Sequence, residues 1–395
     1  MIRAAKIAVL VAIVCIAALG ALWFALNAKA STWDPKAAAS YLDRREAAWA
    51  AWPGASRDQG TFCVSCHTAI PYALARSSLS AKLGQADPPA AETALIADVT
   101  KRVREWNEIK PYYGGMADQS RGTEAVLNAL ILANRDAQAG QLSGDTLTAF
   151  DHMWDTQQTG GSAKGAWLWI QFGNQPWEAP DSVFYGACLA AVATGIAPDE
   201  YRNNPVIQPN IQSLRDYLER NSPAQLPFNR AALLWASANL PGLLTNPEQQ
   251  SLINEMLAKQ RPDGGWSLSS LAGSWERDDG TPLVEDSDGY ATGLIVLSLE
   301  ELGFSKQEPH VAKGLSWLAS NQRSWGGGWV AYSLNHRRHD PFSMVSQFMN
   351  DSATGFAVMA LTYGNSSTEP QRSAGMSRAP SRSNGAFLMS RTASD

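Results

Sequence analysis

The apolar positions of this chain fall at helical spacing along most of its length, and they arrive in paired segments. In each pair the second member is small, apolar and introduced by a polar residue. These second members begin near Cys66 (HTAIPYALA), Gly122 (TEAVLNALILA), Asp181 (SVFYGACLAAVA), Asn229 (RAALLWASANL), Asp288 (GYATGLIVLSL) and Asp351 (SATGFAVMAL). The first members are amphipathic: Leu252 to Gln260 and Val311 to Gln322 carry charges on one face and Leu, Ile or Trp on the other. The pairs recur about every 45 to 65 residues, a period that marks helical-hairpin repetition. No alternating pattern of strands interrupts them. The expected fold class is all-α.

Six hairpins, each with an inner apolar helix and an outer amphipathic one, can close on themselves and bury faces that no single hairpin covers. The expectation is a single α6/α6 toroid over residues 38–364. An open solenoid is the alternative, but the sequence has no polar capping repeat to end one.

Ahead of this body, Arg3 and Lys6 precede an apolar run from Ile7 to Leu26. A run of that length can span a bilayer, and Ala28-Lys29-Ala30 also fits a signal-peptidase site. Residues 1–30 are thus an anchor or a cleaved signal, with the anchor favoured by the length of the run, and 31–37 are a linker. The positive-inside rule places everything after Ser31 outside the cytoplasmic membrane, on a single-pass anchor or free in the periplasm after cleavage. Residues 365–395, rich in Ser, Arg, Pro and Gly, are expected to form a disordered tail.

Composition narrows the partners. The chain has 45% apolar residues, 17% charged ones, 15 Trp and a formal net charge of -5. Fewer charges than the usual ~25% indicate a large aromatic-lined interior. No basic run exceeds Arg337-Arg338, so there is no footprint for a phosphate backbone, and nucleic acid is not an expected partner.

Of the four cysteines, Cys15 lies in the N-terminal run and Cys188 in an Ala-rich helical stretch, leaving Cys63 and Cys66 as the informative pair. Phe62 to Thr68 reads FCVSCHT and contains Cys-x-x-Cys-His, the attachment pattern of covalently bound haem c. Two thiols at this spacing can add to the two vinyl groups while the adjacent His67 serves as proximal iron ligand. A zinc site would need further Cys or His at ligand spacing, and none is found. A Cys63–Cys66 disulfide or redox pair is the other alternative. Met349 and Met116, each before an inner helix expected to neighbour hairpin one, are candidate sixth ligands, as are His336 and His339. Methionines filling core gaps and histidines on a basic surface loop are the plainer readings of these residues.

The loops between outer and inner helices carry the sharpest repeat: Gln260-Arg-Pro-Asp-Gly-Gly-Trp266 and Gln322-Arg-Ser-Trp-Gly-Gly-Gly-Trp329, with a looser copy at Gln158 to Trp167. This resembles the Gln-Trp repeats of squalene-hopene cyclases and related terpene cyclases, which share an α/α toroid with protein prenyltransferase β subunits. In these turns Gly permits a tight exit from the outer helix, Gln can bond turn backbone, and Trp packs over the neighbouring hairpin. The resemblance implies one ring with an apolar interior suited to an isoprenoid, a quinone or another lipid. It also draws attention to Val284-Glu-Asp286-Ser-Asp288-Gly-Tyr-Ala291, similar to the Asp-rich acid motif of class II terpene cyclases. On that likeness Asp288 is the catalytic proton donor and Asp286 its supporting carboxylate. The motif departs from the family at Gly289 and Tyr290 and in lying in the fifth hairpin.

A carboxylate at a helix start is also an N-cap, and Asp181, Asp288 and Asp351 are each expected to cap an inner helix, where the helix dipole would lower their pKa. The resemblance implies a prenyltransferase zinc at two successive inner-helix starts, but the corresponding starts here, DSDGYATG and NDSATGFAV, have no Cys and no His, so no zinc is expected. Glu124, Asp181, Asp286 and Asp351 are the carboxylates available to a sugar-cleaving alternative, which needs a spaced pair. The leading expectation is an exported haem c protein with an electron-transfer or haem-linked redox role and a redox partner protein. A cyclase-like enzyme using Asp288 and a non-catalytic toroid that binds a lipid or protein are the alternatives.

Overall fold

The computed structural model describes residues 33–137, 139–337 and 340–364. Among them the fold is all-α: twelve helices of three turns or more, with isolated β-bridges only at Ser56–Phe62 and Asn174–Glu178. In chain order they are α1 (Pro35–Ala50), α2 (Ala69–Leu83), α3 (Ala90–Arg104), α4 (Ala117–Ala137), α5 (Gly144–Asp155), α6 (Ser182–Ile196), α7 (Gln208–Asn221), α8 (Pro227–Asn239), α9 (Asn246–Ala258), α10 (Gly289–Glu301), α11 (Pro309–Ser320) and α12 (Met344–Thr362). No helix among the described residues is long and apolar enough to cross a membrane. The Ile7–Leu26 run and the 365–395 segment lie outside the described residues.

Local chemistry sets the helix ends. Asp34 caps α1 by accepting from the amides of Lys36 and Ala37, and Pro35 fits the first turn, where no amide partner is needed. Thr245 and Glu248 form a reciprocal capping box on α9. Gly84 ends α2 in the left-handed conformation.

The even-numbered helices are the most deeply buried ones. In α6 every residue from Phe184 to Gly195 is buried, and in α10 every residue from Gly289 to Glu300. Helices this apolar all round must be covered on all sides. They are: α2 packs on α4, α4 on α6, α6 on α8, α8 on α10, α10 on α12, and α12 returns to α2. The amphipathic helices flank this cycle, with α1 against α2 and α12, and α11 against α10 and α12.

The Gln-Trp turns fasten neighbouring hairpins. Gln260 donates to the carbonyls of Gly264 and His310, and Gln322 donates to those of Gly327 and Asp34. In the looser copy the working residue is Gln157, one position before the expected Gln158, donating to Gly165 and Asn210. Each amide thereby bonds the carbonyl two residues before the Trp and the first turn or cap of the next flanking helix. The three indoles donate back to the helix just left: Trp266 to Met256, Trp329 to Leu318 and Trp167 to Met153.

Two inner helices start earlier than their apolar pattern suggests. α12 begins at Met344, capped by Ser343, so Asp351 lies within the helix rather than at its start. α4 begins at Ala117, ahead of Gly122. In both, polar residues of the first turns extend the helix beyond its apolar stretch.

Candidate functional site

The loop from α1 to α2 is pinned at several points before it reaches the Cys-x-x-Cys-His segment. Asp98 of α3 accepts from the Phe62 amide, the Cys63 amide donates to Ala55, and the Trp49 indole donates to the Cys63 carbonyl. Ser65 then accepts from the amides of Thr68 and Ala69 and so caps α2. Cys66, His67 and Thr68 form the turn into the helix.

All three motif side chains are buried, with His67 2% exposed, and neither cysteine is in a disulfide. Burial pushes the Cys63 thiol up to about 12 and the Cys66 thiol well above its ordinary range. Thiols shifted in this direction stay protonated at neutral pH. Burial, reinforced by the Arg45 charge, lowers His67 to about 3, so the imidazole is neutral. A neutral imidazole is a competent metal ligand.

A chain of hydrogen bonds decides which ring nitrogen carries the proton. Thr68 donates its hydroxyl to Asp351 at 2.8 Å, so His67 Nδ1, 2.9 Å from the same hydroxyl oxygen, must be the donor to it. Asp351 is clasped by the Arg45 guanidinium at 2.8 and 3.0 Å and accepts from the Tyr41 hydroxyl. Nε2 is left with its lone pair free to bind a metal. α12 contributes further: Phe348 stacks on the imidazole with centroids 3.8 Å apart, and Ser352 donates to the His67 carbonyl. Trp49 meets the ring edge-on at 5.1 Å. The contact of the last inner helix with the first therefore completes the site.

Facing His67 Nε2 at 3.9 Å is Oε1 of Glu178. Its carboxyl is 5% exposed, and burial raises its pKa to about 7. Glu178, Asp351 and Phe348 were not legible as parts of this site from sequence, because no motif or periodicity joins them to His67.

The candidate sixth ligands are dispersed. Met349 is buried in α12, Met116 is half-buried in a short turn before α4, and His336 is exposed. His339 lies outside the described residues.

Asp288 is 1% exposed and caps α10, Oδ1 accepting from Ala291 and Oδ2 from Leu268. Its pKa is raised to about 7 because burial outweighs the amide bonds, the reverse of the fall expected from the helix dipole. Asp286 is exposed. Asp181 precedes α6 without a capping bond and accepts instead from Asn229, while Glu124 is held by Arg102 and Arg121. The groups that hold Glu124, Asp181 and Asp351 are thus cations, amides and hydroxyls, not one another.

No group of three or more His, Cys, Asp or Glu that could hold a bare metal ion occurs among the described residues. A cavity of about 170 Å³ is lined by all six inner helices, through Leu74, Asn134, Val192, Trp235, Glu301 and Met359. It is smaller than the ~300–1,000 Å³ of a typical ligand pocket. The sequence matches no family model and no curated protein.

Proposed function

We propose that this chain is an exported c-type haem protein built on a single α6/α6 toroid, with a role in electron transfer or haem-linked redox chemistry. The closed cycle of contacts among the six apolar helices supports the toroid. The observation that carries the haem reading is the His67 tautomer: Nδ1 is committed to Thr68 and, through it, to Asp351, so Nε2 is the free donor beside two reduced cysteines. Metal-binding histidines are oriented by such a chain on the second nitrogen.

The donor types are those of haem c. Cys63 and Cys66 would hold the porphyrin through thioethers and His67 would hold the iron, with Thr68, Asp351 and Arg45 keeping the imidazole neutral and in orientation. Bound there, haem would supply one-electron chemistry. Because Cys66 and His67 are almost wholly covered, attachment belongs to a stage before α12 docks on α2. The reading also includes a redox partner protein, attachment to the cytoplasmic membrane through residues 7–26, and an apolar isoprenoid or quinone ligand. The 170 Å³ cavity admits only part of such a molecule.

The test is a reduced-minus-oxidised spectrum of protein made together with haem-maturation machinery. Sharp α and β bands are expected, and Cys63→Ala with Cys66→Ala should abolish the covalent haem. Colourless wild-type protein with both thiols free would end the proposal.

A second reading, cyclase-like acid catalysis by Asp288, is favoured by one observation, the elevation of that carboxyl to about 7. It requires a polyprene substrate whose turnover stops in Asp288→Asn.

A further inference from the structure

We propose that the exposed face formed by Trp325, Phe342 and Met344 rests on the headgroup layer of a bilayer; the inference depends on the membrane attachment through residues 7–26 proposed above. Six large apolar side chains are exposed among the described residues, and three of them gather here. Trp325 is 56% exposed and Phe342 67%, and their rings meet with centroids 6.0 Å apart. Met344, two residues on, is exposed at the first position of α12. Apolar side chains gathered on a surface mark an interaction site, and Trp is enriched at the level of the lipid headgroups.

The point where the chain enters the fold selects the side that faces the lipid. The turn carrying Trp325 lies along α1: Gln322 bonds the Asp34 backbone, Trp329 meets Trp33 with centroids 6.0 Å apart, and Arg44 donates to the Gly326 carbonyl. From Asp34 to Arg44 is about 15 Å of helix. Residues 27–33 separate the apolar run from Asp34 and reach at most about 25 Å. A body of roughly 330 residues has a radius of gyration of about 20 Å and is thus about 50 Å across. The tether is shorter than the body is wide, so the side held toward the bilayer is the one that carries the start of α1 and the Trp325 turn.

The charges of this side suit anionic headgroups. The Arg323 guanidinium stands 4.7 Å over the Trp325 ring and the Lys82 ammonium 5.8 Å over the Trp33 ring, while Lys36 and Arg44 are exposed. Such side chains lay their stems on apolar surface and keep the charge in the headgroup layer, where an anionic surface attracts each of them. The carboxylates of the same segments are turned inward. Asp34 accepts from the Lys36 and Ala37 amides, Asp340 from the Phe342 amide, and Asp43 is paired with Arg76.

The test uses the full chain in vesicles of phosphatidylcholine and phosphatidylglycerol. Cys15→Ala directs a fluorescent thiol label to an added cysteine, since Cys63, Cys66 and Cys188 are buried. The label is placed by Trp325→Cys, by Phe342→Cys and, as control, by Val206→Cys. Val206 is exposed just before α7, which packs on α6, three steps round the inner-helix contact cycle from α12. Nitroxide-bearing lipids should quench the labels at 325 and 342 and leave the label at 206 bright. Phe342→Asp should abolish the quenching at 325. Equal quenching at all three sites, or quenching at 325 that survives Phe342→Asp, would overturn the inference while the membrane attachment stands. So would shielding from an aqueous quencher without quenching by lipid, as a covering protein would give. A full chain that does not float with the vesicles would overturn both.

Discussion

The side-chain amide of Gln322 grips the backbone of Asp34 from both directions. The Asp34 amide donates to Oε1 at 2.5 Å, and Nε2 donates to the Asp34 carbonyl at 2.9 Å. The same Nε2 donates to Gly327 at 2.7 Å. Gln260 makes the equivalent link between hairpins adjacent in sequence, whereas Gln322 joins the last flanking helix to the first.

Gln322→Ala should therefore weaken the junction between α11 and α1. Loss of three hydrogen bonds at a part-exposed site is worth about 1–3 kcal/mol, read as a lower urea midpoint with an unchanged slope. Equal effects on the first and last hairpins in native-state hydrogen exchange are expected, because both lose their partner. A midpoint within error of wild type would show that the α12–α2 contact holds the two ends of the fold together without this clasp.

The turn that presents Gln260 to its neighbour admits only glycine at position 264. Its φ is +93°, and a Cβ there would stand 2.9 Å from the Lys313 carbonyl oxygen of the next flanking helix. Gly264→Ala should cost about 1–3 kcal/mol, from backbone strain and from forcing the two hairpins apart. Gly161→Ala is the control, since its φ of +71° is also left-handed but its Cβ would meet nothing within 4 Å. Equal losses at the two sites, measured by thermal or urea denaturation, would remove the close approach from the explanation and leave strain alone.

The paired helices were legible in the sequence because inner helices such as α6 and α10 are apolar all round and three of the turns carry their own Gly, Gln and Trp. What was hidden has specific causes. Gln157 and Gln158 are consecutive, and the longer loop to Trp167 gives no spacing rule to choose between them; the packing of Asn210 does. Asp351 looked like a cap because the apolar run starts after it, but Ser343 starts the helix earlier. The bond from Thr68 to Asp351 spans most of the chain, and no local pattern encodes such a pairing. The cysteines and His67 were visible because they stand together in one short pattern, while Asp351 and Phe348, which help to orient His67, come from the opposite end of the sequence.

Glu46 should make the fold lose stability in alkali. It is 1% exposed, neither carboxyl oxygen has a hydrogen-bond partner, and burial, with Asp351 and Asp98 adding, raises its pKa to about 8. The unfolded value is about 4.3. A carboxyl raised in the folded state favours folding when protonated, so its contribution is complete below about pH 4 and is lost as pH climbs toward 8. The loss is on the order of a few kcal/mol. Asp98 and Asp288, both raised to about 7, act in the same direction. The diagnostic is therefore the difference between wild type and Glu46→Gln. The variant's urea midpoint should fall less between pH 5 and pH 9 and exceed wild type at pH 9, whereas parallel curves would show that Glu46 does not hold its proton in the fold.

Asp288→Asn separates a helix cap from an acid catalyst. Both carboxylate oxygens accept amide hydrogens, from Ala291 at 2.8 Å and from Leu268 at 2.6 Å. Asparagine keeps one acceptor and turns an NH₂ group toward the other amide, so donor faces donor in a buried site. The expected cost is about 1–2 kcal/mol in denaturation. The same substitution also fixes the group as neutral, which removes its share of the stability lost between about pH 4 and 7. A variant as stable as wild type that has lost turnover of a polyprene would reverse the assignment and make proton donation, not capping, the role of this side chain.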